Sequence, residues 1–346
     1  MQRTDMKDVK SVIFSCEGLV LTAQEKEFFA SEKPLGFILF ARNIDNPEQV
    51  RALVNALRAS VGRADAPVLL DQEGGRVQRL RSPHWFEAPA FGLLGQLYDL
   101  DAAKGIEACR LATALICDDL NGVGITVDCS PCLDLALPVT SSVIGDRSFH
   151  ADPNIVAKLG AVVALEFIEN GIIPVIKHIP GHGRGTVDSH LELPVVDAGI
   201  EELVSTDFAP FKQLGHSPWG MTAHIVFKQI DPERPATQSA KVVTDIIRNQ
   251  IGFDGLLLTD DLNMNALDGP LEKRAERALE AGVDVVLHCS GKLDEMKSVA
   301  QACGPLQDAS LKRYHAAQSM IQPPPQDTFS SSQMKARLDH LLELVN

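Results

Sequence analysis

Residues 172–190 read IIPVIKHIPGHGRGTVDSH. The run Ile172, Ile173, Pro174, Val175, Ile176 is short and apolar, with Gly171 before it and Pro180 and Gly181 after it, which is the pattern of a buried strand. From Lys177 to His190 the chain then carries three of its ten histidines together with Lys177, Arg184 and Asp188. Three glycines and a proline in the same stretch keep it from being a helix. Titratable side chains on a loop at the C-terminal end of a core strand mark a candidate active site. The plain alternative is a polar surface loop with incidental histidines, and the other strand ends weigh against it.

Outward from this stretch the same punctuation repeats. Candidate strands are Ser11–Ser15, Gly36–Phe40, Pro67–Leu70, Ile125–Val127, Ile173–Ile176, Met221–Ala223, Gly255–Leu258 and Val283–Leu287. Helix-like segments lie between most of them, at Pro47–Ser60, Ala102–Asn121, Pro153–Asn170, Ile200–Leu214 and Ser239–Gln250. Such alternation belongs to parallel βαβ units. Eight of them suggest one α/β fold, a single (β/α)8 TIM-type barrel, with a doubly wound sheet as the other possibility. The stretch QPPPQDTFSSSQ at 322–333 has linker composition, and Met334–Val345 reads as an amphipathic helix. The expected division is therefore a barrel over 1–321 and a linker with a C-terminal helix over 322–346, packed on the outside of the barrel.

A chain of 346 residues, 45% hydrophobic and 23% charged, can bury a substantial core. The opening MQRTDMKDVK has no signal-peptide core, and no apolar stretch reaches the roughly 18 residues of a membrane span. Seven cysteines at irregular spacings fit a reducing compartment, so a cytoplasmic location is expected. A net charge of −14 opposes nucleic acid and anionic membranes as partners. A small molecule remains.

In a barrel, reacting groups come from the C-terminal ends of several strands. Those ends supply Asp71, Glu73 and Arg79; Asp128 and, further on, Arg147; Lys177 and His178; His224; Asp260 and Asp261; and His288. Alternation puts Leu256, Leu258 and Asp260 on one side of their strand, and Leu257, Thr259 and Asp261 on the other. One central carboxylate and an acid/base loop suit displacement at an anomeric carbon. Asp260 can be the nucleophile. Asp188 stands two residues before His190, close enough to orient its ring and stabilise its protonated form, and histidine titrates near neutrality, at roughly 6.5 when unperturbed.

KHIPGHGRGTVDSH, DQEGGRVQR at 71–79, VIGDRSF at 143–149 and GFDGLLLTDDLNM at 252–264 together resemble the β-N-acetylhexosaminidase branch of glycoside hydrolase family 3, the bacterial type that recycles cell wall. The motifs occur in the family's order. The resemblance implies a barrel that removes terminal β-linked N-acetylglucosamine with retention, through a covalent glycosyl-enzyme and without a metal or other cofactor. It makes Asp260 the nucleophile and His190 the acid/base, paired with Asp188. Asp71 then accepts sugar hydroxyls, and Arg79, Arg147, Lys177 and His178 donate to them or hold the product. The implied substrate is a soluble GlcNAc-containing muropeptide, and a monomer is the simple expectation. Ile179 stands where phenylalanine is frequent and Thr259 where serine is frequent; neither change removes a reacting group. Glu73 and Asp261 read as structural, while His182, His224 and Met264 receive no defined role.

Rival readings exist. His178, His182 and His190 could ligate zinc in a metal-dependent barrel hydrolase, although SVIFSCEG lacks the HxH pair that such enzymes carry on the first strand. Lys177 could form a Schiff base. Phosphate could replace water as acceptor, giving a phosphorolytic N-acetylglucosaminidase, and a sugar-binding barrel without catalysis is a further class. Cys129 and Cys132 form a CSPC pair with no second pair to match it, which reads as structural.

Overall fold

The computed structural model describes residues 6–189, 191–323 and 330–345. Eight parallel strands close a barrel: β1 Lys10–Phe14, β2 Pro34–Ile38, β3 Val68–Leu70, β4 Val127–Asp128, β5 Ile173–Ile179, β6 Trp219–Thr222, β7 Leu256–Asp261 and β8 Val285–His288. They neighbour one another in chain order, and β1 pairs with β8 to complete the ring. The (β/α)8 expectation is correct.

Side-chain alternation divides the core in two. Ile173 and Val175, Trp219 and Met221, Leu256 and Leu258, and Val285 and Leu287 form the apolar filling of the barrel. Ile176, Leu257 and Val286 belong to the cluster between strands and helices. Each such side chain contributes roughly 1.5–3 kcal/mol when fully buried. Met6, Val9, Leu306, Tyr314 and Ala317 extend the inner cluster, with the Tyr314 ring 6.4 Å from that of Trp219. Continued one step further, the inward positions of β5 and β7 become Lys177 and Asp260. The barrel interior thus changes from apolar to charged at its C-terminal mouth.

The helices begin where the sequence caps them. Asn46, Asp101 and Asp152 each accept a backbone N–H at the start of Pro47–Ser60, Ala102–Val123 and Pro153–Glu169. The helix expected over Ile200–Leu214 is instead two, Ile200–Ser205 and Ala209–Gln213. Pro210 explains the break, because its ring would meet the Thr206 carbonyl in a continuous helix. The segment expected as a helix over Ser239–Gln250 is wound as a π-helix over Val242–Ile251.

At the C-terminus, Ser330 and Gln333 form a capping box for the helix Ser331–Leu342. Met334, Leu338 and Leu341 enter the outer core cluster, and Arg337 holds Glu107 of the Ala102–Val123 helix through two bonds of 2.7 and 2.9 Å. Half of the expected linker, residues 324–329, lies outside the described residues. Among the described residues no helix is long and apolar enough to cross a membrane.

Candidate active site

The loop after β3 folds back on itself. The Gln72 amide donates to Asp128 Oδ1 at 2.9 Å, while Gln72 Oε1 accepts the amides of Arg79 and Leu80 at 2.9 and 3.0 Å. Gly74 has φ +111°, and a Cβ there would lie 2.2 Å from the Pro89 carbonyl oxygen, so only glycine fits the turn. The fold-back returns Arg79 to Asp71, with Nη2 donating to Oδ2 at 2.9 Å.

Lys177 enters from β5 between two acids. Its Nζ lies 3.0 Å from Asp71 Oδ1 and 2.7 Å from Glu73 Oε1. Glu73 is also gripped by Arg147 through both oxygens, at 2.8 and 2.9 Å. Burial alone would push these carboxyls up. The charges of Lys177 and Arg79 nevertheless hold Asp71 well below the usual range, and those of Arg147 and Lys177 bring Glu73 to about 2. Burial likewise opposes the charged form of Lys177, but the two acids raise it well above an ordinary ammonium. An amine so held has no free lone pair, which argues against the Schiff-base reading.

Lys177 and His178 are consecutive, yet both line the same pocket, because the pairing register against β6 shifts between Lys177 and Ile179. His178 Nδ1 lies 2.6 Å from Asp134 Oδ2, and its Nε2 lies 4.0 Å from Asp260 Oδ2. Asp134 is buried and accepts the His182 amide on Oδ1 at 2.6 Å. Burial raises its carboxyl, yet His178 and the His182 amide hold it well below the usual range. Sequence reasoning passed over Asp134. It stands six positions past a two-residue strand, with its partner 44 residues away. The available signal was a lone carboxylate in an otherwise apolar stretch, SPCLDLAL.

The two adjacent aspartates on β7 differ. Asp261 Oδ1 accepts the amides of Asn263 and Cys289, both at 3.1 Å, and burial lifts its carboxyl to about 6. Asp260 lines the pocket, with Oδ1 accepting the Asp261 amide at 2.8 Å. Burial raises it, but His178, then His224, outweigh that and leave it below the usual value. His224 is buried, which lowers its own pKa. Its Nε2 donates to the Asp261 carbonyl at 3.0 Å, and its Nδ1 lies 2.7 Å from Thr237 Oγ1, whose hydroxyl donates to the Ala223 carbonyl at 3.0 Å.

The loop after β5 is seated by close backbone contacts. Gly181 has φ +142°, and a Cβ on Gly183 would lie 2.7 Å from the Leu135 carbonyl oxygen. The Ser189 carbonyl accepts the Ala266 amide from the segment after β7 at 3.3 Å. Beyond the loop, Val195–Val196 pairs with Val226–Phe227 in a small parallel sheet outside the barrel. Asp188 is half-buried, and its carbonyl accepts the amides of Leu191 and Glu192. His190 lies outside the described residues.

Six of the eight candidate residues therefore meet in one pocket: Asp71, Arg79, Arg147, Lys177, His178 and Asp260. Its volume is about 210 Å³, below the roughly 300 Å³ at the small end of ligand sites. That is room for one sugar ring. Met264 also lines it, whereas His182 sits behind His178, the ring centroids 5.9 Å apart and both ring nitrogens without partners.

Among the described residues the one His, Cys, Asp and Glu group close enough to suggest a metal is Cys132, Asp134 and His178. It fits an ion poorly. His178 Nδ1 and Asp134 Oδ2 are 2.6 Å apart, whereas two ligands of tetrahedral zinc stand about 3.3 Å apart. The contact is a hydrogen bond. Burial also raises the Cys129 and Cys132 thiols well above their ordinary value, so the CSPC pair stays protonated.

A (β/α)8 barrel with a sugar-sized, ion-paired pocket at its C-terminal mouth is built as a hydrolase. Residues 6–319 match the model of the glycosyl hydrolase family 3 N terminal domain, and the chain belongs to that family as a glycoside hydrolase of the β-hexosaminidase type. It is 38% identical to the β-hexosaminidase of Alkalilimnicola ehrlichii over 283 residues, covering 81% of this chain and 80% of the relative. Native NagZ from Neisseria gonorrhoeae superposes with a TM-score of 0.85 at 31% identity, covering 98% of this chain and 99% of that one. The same gonococcal protein in complex with N-trifluoroacetyl-D-glucosamine gives a TM-score of 0.85 at 31% identity, over 98% of this chain and all of the other.

Proposed function

We propose that the chain is a retaining β-N-acetylhexosaminidase that removes terminal β-linked N-acetylglucosamine from soluble peptidoglycan fragments of the anhydro-muropeptide type. The observation that carries this reading is Asp260: a half-buried carboxylate lining a one-sugar pocket, held below its usual pKa beside His178 and His224, while its neighbour Asp261 is tied to backbone amides. An ionised carboxylate below the ring attacks the anomeric carbon as the leaving oxygen takes a proton from the acid/base. His190 fills that second role and Asp188 orients it, on a loop anchored beside β7 through Ser189 and Ala266. Asp71, Arg79, Arg147, Lys177 and His178 bind the sugar. The ion pairs among them fix donors and acceptors before substrate arrives, so little reorganisation is left for the reaction. The N-acetylglucosamine analogue held by the gonococcal relative supports the choice of sugar. The seven cysteines, all free, support a cytoplasmic setting.

The test is product analysis with a GlcNAc-anhydro-muropeptide. Release of the β-anomer of N-acetylglucosamine as first product, and its loss in Asp260→Ala, are expected. Release of the α-anomer first would overturn retention, and GlcNAc 1-phosphate formed in phosphate buffer would overturn hydrolysis.

A further inference from the structure

Asp134 belongs to no role assigned so far, yet it is a hub. Its two oxygens receive His178 Nδ1, the His182 amide and, at 3.4 Å, the Cys132 thiol, and the residue is only 1% exposed. A carboxylate accepting at Nδ1 fixes the tautomer and plane of an imidazole and favours its protonated form. The other edge of the ring, Nε2, is 4.0 Å from Asp260 Oδ2. Asp134, His178 and Asp260 thus form a line across the barrel mouth from the loop after β4 through β5 to β7.

We propose that Asp134 is a positioning residue for the reaction: through His178 it keeps a proton-bearing edge facing Asp260, and so sets how readily the Asp260 carboxylate leaves the glycosyl-enzyme. The proposal rests on Asp260 being the nucleophile. In the second half-reaction, water oxygen bonds to the anomeric carbon and the water proton goes to the loop acid/base. The bond from that carbon to Asp260 breaks, and its electron pair stays on the carboxylate. An N–H edge beside the departing oxygen stabilises the charge that forms there.

The other groups near Asp260 do not substitute for His178. Lys177 on β5 is shared between Asp71 and Glu73. His224, after β6, turns its Nε2–H to the Asp261 carbonyl instead. On its own strand Asp261 is an acid, and the thiols of Cys129 and Cys289 are kept protonated by burial. Behind His178, burial brings His182 down to about 4, so it too is uncharged. That leaves the Nε2 edge of His178 as the one turned to Asp260 Oδ2, and Asp134 as what holds it there.

Asp134→Asn keeps the shape and an acceptor for the His182 amide but removes the charge. With 4-nitrophenyl N-acetyl-β-glucosaminide, the acid limb of kcat/KM should move up by about one pH unit, since Asp260 loses the N–H edge held toward its carboxylate. Turnover should fall about tenfold, with a burst of nitrophenol showing that the second step has slowed. An unmoved acid limb, with kcat/KM reduced equally at every pH, would mean a structural role and overturn the proposal. His178→Gln should shift the limb in the same direction, and adding Asp134→Asn to it should change nothing further. Where Asp134→Asn fails to fold, His178→Gln alone decides, and an unmoved limb overturns the idea. Asp260→Ala separates the two readings. Turnover that survives it removes the nucleophile and this proposal together, whereas an inactive Asp260→Ala with an unmoved limb in Asp134→Asn removes this proposal alone.

Discussion

The Nζ of Lys177 lies 2.7 Å from Oε1 of Glu73, and both side chains are all but sealed from water, at 3% and 1% exposed. Arg147 closes on the same carboxylate from the other side. Removing one member of a buried ion network leaves the others with uncompensated charge, which is costlier than never having built it. Glu73→Gln should therefore lower unfolding free energy in urea by about 3–5 kcal/mol. A loss below about 1 kcal/mol would show that the pairs are solvated like surface ones.

Asp71 should behave differently. Its partner Lys177 keeps Glu73 when Asp71 changes, so Asp71→Asn retains the fold. What goes is a charged acceptor for sugar hydroxyls, worth about 1.5–3 kcal/mol per bond. A fall in kcat/KM of roughly a hundredfold is expected, with the unfolding midpoint little moved. An unchanged kcat/KM would take Asp71 out of the sugar site.

The strand ends were legible because burial imposes a short apolar run, and the chemistry begins where the run stops. Lys177, His178, Asp71 and Asp260 all stand at such stops. The Arg79 side of the pocket was legible only as an arginine near a strand, since its contact depends on Gln72 folding the loop back. Asp134 and Thr237 were not legible at all: their partners, His178 and His224, are joined to them by tertiary contact and by no periodicity. Pro210 shows the reverse case. Its effect on the helix was local and readable, but the apolar spacing across it hid the break.

His182 couples stability to pH. In the folded protein burial lowers its ring to about 4, whereas in the unfolded chain it titrates near the ordinary value of roughly 6.5. Between those values the unfolded chain binds more protons, so the stability present above about 6.5 is lost as pH falls toward 4. His182→Leu removes this term. Relative to wild type the variant should gain about 1.4 kcal/mol for each pH unit of acidification within that window. Asp261 and Asp119, both raised to about 6, titrate with the opposite slope, but they are common to both proteins and cancel in the difference. Urea unfolding near neutrality and near pH ~5 measures it. A pH-independent difference would mean that the ring finds a charged partner when folded.

The loop after β5, which carries the proposed acid/base, should be sensitive at Gly183. An alanine Cβ there would lie 2.7 and 2.9 Å from the Leu135 carbonyl oxygen and amide nitrogen, backbone atoms that cannot rotate away. Gly183→Ala should displace the loop and lower kcat about tenfold on a natural disaccharide, since misplacement by even an ångström is costly at a reacting centre. Gly199→Ala, where nothing lies within 4 Å of the added atom, serves as control and should leave kcat unchanged. Equal behaviour of the two would show that the loop's seating does not matter.

The proposed division of labour between Asp260 as nucleophile and His190 as proton donor predicts a leaving-group test. Asp260→Ala should abolish turnover of every substrate, because no covalent intermediate can form. His190→Ala removes protonation of the departing oxygen, which a nitrophenolate does not need and a sugar alkoxide does. Its kcat/KM should fall about a hundredfold or more on GlcNAc-anhydro-muropeptide and far less on the nitrophenyl glycoside. The slope of log kcat/KM against leaving-group pKa should steepen accordingly. Asp188→Asn should steepen it in the same sense but less, since the imidazole remains and only its orientation and charge support are lost. An equal loss on both substrates in His190→Ala would remove His190 from proton transfer. The donor would then have to be sought among the other titratable groups at the barrel mouth.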